Sequence, residues 1–326
     1  MASWPTSSAS RLSWLAGADV ALRHLGFVSL PAHAKAGGFD HAAVHEPTGR
    51  IYVAHTGNDA VDVIDITAQR YVRSIPDLPA VAGALVTEPD LVFTSNRGEN
   101  TVGLFTTTEV PRVEKIAVGT RPNGLAYDPR RARLLVAHVG DPAITGSITV
   151  SIIDVGARKR VADVSVAGRT RWAIYDPVSD AFHVNIADPP QIVVVESGDP
   201  VRIRRVVAVP HTGPHGLDID VASRRLFCAC DAGVLVAMDA DTGKTLETHP
   251  IAGVPDVVFF NAALSRLYVA IGDPGVIEVF DTARLARRET VQTEPGAHTL
   301  SFDATRNIVC AFLPQTHRAA VYEDRA

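Results

Sequence analysis

One short stretch, Gly213-Pro-His-Gly-Leu-Asp-Ile-Asp220, recurs along this chain and limits what the chain can fold into. Asp40-His-Ala-Ala-Val-His-Glu46, Pro122-Asn-Gly-Leu-Ala-Tyr-Asp128, Pro255-Asp-Val-Val-Phe-Phe-Asn261 and Ala297-His-Thr-Leu-Ser-Phe-Asp303 share its frame. Arg171-Trp-Ala-Ile-Tyr-Asp176 fits it as well, and Ala82-Gly-Ala-Leu-Val-Thr87 fits in degraded form. Each copy opens on a variable residue, continues through mostly apolar residues and, in all but the degraded copy, ends on a turn-forming Asp, Asn or Glu. The opening positions are 41, 82, 123, 171, 215, 256 and 298, spaced by 41, 41, 48, 44, 41 and 42 residues. A period of about 40–45 residues holding several short strands marks propeller blades.

Within each period four strands can be read. Strand a runs from the opening motif to its turn, where Asp128-Pro and Asp176-Pro are turn-initiating pairs. Strand b is the apolar run that follows, such as Leu134-Leu-Val-Ala137 or Leu226-Phe-Cys-Ala229. Strand c comes after a short polar loop, as in Val234-Leu-Val-Ala-Met-Asp239. Strand d is more polar and therefore outermost, as in Arg112-Val-Glu-Lys-Ile-Ala117. The last period stops after strand c, and Leu22-Arg-His-Leu-Gly-Phe-Val-Ser-Leu-Pro31 is free to supply its missing strand. The expectation is an all-β, seven-bladed β-propeller of four-stranded blades. The N-terminal strand completes the last blade and closes the ring, removing exposed sheet edges. Residues 1–20 read as a tail and residues 21–326 as a single propeller domain.

Ile51-Tyr-Val-Ala-His-Thr-Gly-Asn-Asp-Ala-Val-Asp-Val-Ile-Asp65 resembles the "YVTN" repeat of YncE-like seven-bladed propellers. The resemblance spans roughly residues 21–326. It implies a site looking into the top of the central channel, often with a divalent metal. Propellers of this broad group include lactonases and the virginiamycin B lyase, and others are regarded as binding proteins. A shared fold does not choose between those roles.

Composition narrows the classes of partner. The chain has 326 residues, a net charge of −5 and no Lys/Arg-rich run, which gives no footprint for nucleic acid. No stretch reaches the ~18 unbroken apolar residues of a membrane-spanning helix, so no membrane partner is expected. Ala32-His-Ala34 resembles a cleavage site, but cutting there would discard the closing strand, and a cytoplasmic location is expected. Cys228, Cys230 and Cys310 are too few for a disulfide framework and fall in strands, where they read as buried thiols. There is no phosphate-binding Gly-rich loop, so no nucleotide cofactor is expected, and neither Gly-x-Ser-x-Gly nor His-Glu-x-x-His occurs.

The opening positions are the most informative column. In a propeller they ring the channel mouth, and here they read His41, Ala82, Asn123, Arg171, His215, Asp256 and His298. With 12 histidines in 326 residues, three in seven slots exceeds what composition supplies. Because the ring closes, His215, Asp256, His298 and His41 occupy one arc. Imidazoles with a carboxylate are the ligand set of a divalent transition metal, here zinc, iron or manganese. A metal-free version keeps the arc, with His41, His215 or His298 as general acid or base. Residues at a wet channel mouth can equally cap strand ends or hold water. Arg171 faces the arc with Asn123 and is suited to an anionic or carbonyl-containing substrate, either as a binding group or in catalysis. A second ring at the ends of the b strands, including His55, Asn96, His138 and Asn185, is expected on the same face as substrate-binding residues, with His55 and His138 forming a pocket wall or adding a ligand. These residues point to a small-molecule enzyme, a metal-assisted hydrolase or lyase of the lactonase type. A non-catalytic propeller binding a ligand or protein on the same face is the alternative.

Overall fold

The computed structural model describes residues 21–325; the tail expected over residues 1–20 lies outside the described residues. Seven four-stranded antiparallel sheets follow one another along the chain, each ordered a-b-c-d. The innermost strands are Ala42–His45, Val81–Thr87, Pro122–Asp128, Thr170–Asp176, Pro214–Asp220, Val254–Asn261 and Thr299–Asp303. Leu22–Ser29 pairs antiparallel with Arg318–Asp324, which pairs in turn with Ile308–Leu313, so both chain ends share the seventh blade. The chain is a seven-bladed β-propeller closed by its N-terminal strand. Among the described residues no helix is long and apolar enough to cross a membrane.

Strand b of the third blade shows why the blades pack as they do. Side chains alternate across a strand, so Leu134 and Val136 face the second blade while Leu135 and Ala137 face the fourth. Both faces are buried, which is why these strands read as continuous apolar runs rather than alternating ones. The same division produces seven hydrophobic clusters, one at each joint between consecutive blades. Cys228, Cys230 and Cys310 are free and buried in these joints.

The recurrent turn residue has a structural task. Asp176 accepts the backbone N–H groups of Val178 at 3.0 Å and Ser179 at 3.2 Å, closing its own turn. It also receives both Nη atoms of Arg224 in the next blade, at 2.8 and 2.6 Å. Burial opposes its charge, but these donors overcome that and hold its carboxyl well below the usual range. Asp128 repeats the pattern with the Arg130 backbone N–H at 2.8 Å, Arg131 at 3.0 Å and the Ser197 hydroxyl of the following blade.

The closing blade is tied to its neighbour by a buried ion pair. Arg266 in the sixth blade donates to Asp324, and Tyr268 donates to the other carboxylate oxygen at 2.5 Å. Both charged residues are under 5% exposed. Removing Asp324 leaves the Arg266 guanidinium buried without its counter-ion. Asp324→Ala should therefore lose about 3–5 kcal/mol in urea unfolding. A loss below about 1 kcal/mol would show that the pair does not hold the joint.

Candidate functional site

The innermost strands are not regular where the site forms. In blades two to six the ladder between strands a and b shifts register at the opening residue. The shifts fall between Val81 and Gly83, Pro122 and Leu125, Thr170 and Ala173, Pro214 and Gly216, and Pro255 and Val258. A β-bulge re-aims the residues inside it. The bulged positions include Ala82, Asn123, Arg171, His215 and Asp256. His41 and His298 stand just ahead of the regular ladders of blades one and seven. Close approach of neighbouring blades fixes these turns: a Cβ on Gly124 would lie 2.5 Å from the Arg171 carbonyl oxygen, and one on Gly216 would lie 2.4 Å from that of Asp256.

At the centre of the arc, His215 is held between two carboxylates. Its Nδ1–H donates to Asp231 at 2.7 Å, and its Nε2 stands 3.1 Å from Asp256. Arg171 completes the group, with Nη2 donating to Asp231 at 3.1 Å and Nη1 lying 3.0 Å from the His215 Nε2. Burial opposes a charge on His215, but Asp256 and Asp231 overcome it and raise its pKa to about 9. Burial likewise opposes the charge of Asp256, yet His215, by its charge and its hydrogen bond, holds the carboxyl well below the usual range. His298 is further out, its Nε2 3.7 Å from Asp256 and its Nδ1–H donating to the Gly296 carbonyl at 2.8 Å.

His41 has the opposite environment. It is buried, with its ring 4.3 Å from that of Trp172 across the channel. Burial lowers its pKa, only partly offset by Asp40 and Asp256. Asp40 pairs with Arg97 at 3.4 Å, and Arg97 donates to Asn123 Oδ1. Arg169 belongs to the same face: its pKa is lowered by partial burial and by the guanidinium groups of Arg171, Arg97 and Arg121. Four arginines thus surround one side of the mouth. Beneath lies a cavity of about 650 Å³ whose walls are mainly the apolar side chains of the innermost strands. Trp172 lines this channel rather than only the joint between blades, because the bulge turns it inward along with Arg171.

The second ring is placed differently from the first. His55, Asn96, His138 and Asn185 are each fully buried. Asn185 donates to the carbonyl oxygens of His215 at 2.9 Å and Gly216 at 3.2 Å, fixing the backbone of the bulge. Asn96 donates to Thr101 at 3.0 Å inside its own loop. His138 accepts the Gly119 N–H at 3.2 Å and donates to Thr149 at 2.8 Å, which satisfies a neutral ring on both sides. His55 lies between Asp62 at 2.7 Å and His33 at 2.6 Å. The mouth is reached instead by the next residue along the strand, Arg97 after Asn96 and Asp231 after Cys230, since neighbours alternate across a strand. Arg121 and Arg169 precede the motif by two residues and Asp40 by one. Position in the d–a loop was the available signal for them.

The expected metal ligands do not share one point. Among the described residues no three His, Cys, Asp or Glu side chains are arranged to hold a metal ion. His215 directs both ring nitrogens at carboxylates, Nδ1 at Asp231 and Nε2 at Asp256. The donor set suits proton transfer and anion binding better than coordination. The sequence matches no family model and no curated protein.

These environments fix how stability responds to pH. The folded pKa of His215 is raised from 6.5 to about 9, so its contribution is full below pH 6.5 and is lost as pH rises through 9. Urea unfolding should show a loss on the order of 2–3 kcal/mol across that window. His215→Asn should be less stable at neutral pH and lack the slope. His138 and His183 are both lowered to about 4 by burial, so their contribution is present above pH 6.5 and is lost as pH falls towards 4. Replacing His183 with Gln should flatten that acid limb.

Proposed function

We propose that the chain is a small-molecule enzyme of the hydrolase or lyase type, acting by acid–base catalysis on an organic anion at the channel mouth. One observation carries this reading: two histidines on the same arc have pKa values driven in opposite directions. Groups whose environments separate their pKa values in this way are suited to opposite roles in proton transfer. His41, kept neutral by burial, serves as the base. His215, kept protonated by Asp231 and Asp256, serves as the acid. Arg171, with Arg97, Arg121 and Arg169 around it, receives the anionic group of the substrate, and the apolar channel takes its body. Asn123 positions Arg97, while Asp256 lies between His215 and His298.

Membership of the YncE-like propellers is part of the same proposal, supported by the Ile51–Asp65 repeat and by the seven closed blades. Lactone opening and elimination next to a carboxylate both need one base and one acid flanking an anionic or carbonyl group. The arc supplies both without routing a step through a metal.

The test is turnover of a panel of lactones and of carboxylates carrying a β-leaving group. His41→Gln and His215→Gln should each lower kcat by roughly 10²–10⁴-fold with little change in KM. Arg171→Gln should mainly raise KM. The rate should rise with pH as His41 loses its proton below 6.5, then fall near 9 as His215 does. Organic anions that bind the wild type without any turnover would favour the non-catalytic binding reading, which the arginine cluster also supports.

A further inference from the structure

Below the mouth, one side chain is out of keeping with its surroundings. Asp218 lies on the innermost strand of the fifth blade and lines the channel cavity. Its two oxygens accept backbone N–H groups, Ile219 at 2.8 Å and Phe260 of the next blade at 2.7 Å. The described residues give it no cationic partner. Trp172 on the fourth blade and Phe259 on the sixth flank its strand, with ring centroids 6.2 Å apart in an edge-to-face arrangement. Phe302 continues the aromatic wall, 6.5 Å from Phe259.

A carboxylate in an apolar channel is unfavourable unless a positive charge offsets it. Two amides use only part of its accepting capacity, since a carboxylate offers about four lone-pair sites. Burial accordingly pushes its pKa up to about 6, against the two amides, so the group is charged at neutral pH yet lacks a counter-ion. Aromatic faces around such a carboxylate favour an ammonium ion over a neutral group of the same size.

We infer that the channel binds an aliphatic ammonium group at Asp218, within the wall formed by Trp172, Phe259 and Phe302. The substrate class is therefore an amino-carboxylate with its two charges at opposite ends of an apolar chain. Its carboxylate half rests on the proposed anion site at Arg171; the ammonium half stands on the cavity alone. Arg171 lies 3.0 Å from His215, and His215 and Asp218 are three residues apart on one strand, a backbone separation of about 10 Å.

Calorimetric titration of the full chain with octylammonium, octanol, octanoate and ω-aminooctanoate tests each half separately. Octylammonium should bind roughly tenfold or more tightly than octanol, and ω-aminooctanoate more tightly than either. Asp218→Asn should abolish the preference for octylammonium over octanol. Because Asp218 also bonds Phe260, Phe259→Leu provides a second reading that leaves that bond in place. It should weaken octylammonium without weakening octanol. Arg171→Gln should reduce ω-aminooctanoate to the affinity of octylammonium and leave octylammonium unchanged. Failure of that last result alone overturns the anion site. Equal binding of octylammonium and octanol to the wild type, or an undiminished preference in Asp218→Asn, overturns the ammonium site.

Discussion

The pairing of Leu22–Ser29 with Arg318–Asp324 is the interaction on which the rest of this structure depends. Every other joint lies between sheets that are neighbours in sequence. Only this one brings the two ends of the described chain into one sheet. Without it the first and seventh blades would each expose a face now buried in the joint between them, and the outermost edge of the seventh blade would be open. The Arg266–Asp324 pair reinforces the same region from the sixth blade. Ring closure also makes blades five, six, seven and one contiguous, so the arc from His215 to His41 exists only in the closed ring.

Closure places residues at the mouth, and electrostatics then assigns them different states. His215 and His41 have the same ordinary pKa; His41 is buried and His215 half-buried. They differ in their nearest charges: two close carboxylates flank His215, while Asp40 and Asp256 act on His41 too weakly to offset burial. Asp256 acts on both, and its own carboxyl is held well below the usual range chiefly by His215. On the opposite side, the arginines are paired only in part, with Asp40 and Asp231 taking up some of their charge. The mouth thus has a side rich in histidine and carboxylate and a side rich in arginine, above a channel whose wall carries Asp218.

Much of the fold was legible in the sequence. The motif period counts the blades, the continuous apolar runs mark strands buried on both faces, and the incomplete final repeat with Leu22–Pro31 indicates the closure. The first ring of candidate residues was legible for the same reason: repeats that share a frame reveal the column in which they differ. The second ring was misplaced by one residue. His55, Asn96, His138 and Asn185 are buried, and Arg97 after Asn96 and Asp231 after Cys230 turn towards the mouth. Strand ends cannot be located to one residue by pattern, and a shift of one residue reverses the face. Trp172 illustrates the same limit, since a bulge invisible in the sequence turns it into the channel.

The sequence by itself determined the number of blades, their order, the closing strand and the identity of the residues at the seven opening positions. These follow from local hydrophobic pattern and repeat spacing, which each segment carries on its own. Only the tertiary structure decided that carboxylates raise the pKa of His215 while burial lowers that of His41, that His215 lies between Asp231 and Asp256, and that Asp218 lines an apolar channel without a cationic partner among the described residues. Those properties depend on burial and on charges contributed by different blades, as Asp231, Asp256 and Arg171 are for one another. Such distances arise only when neighbouring blades have packed together.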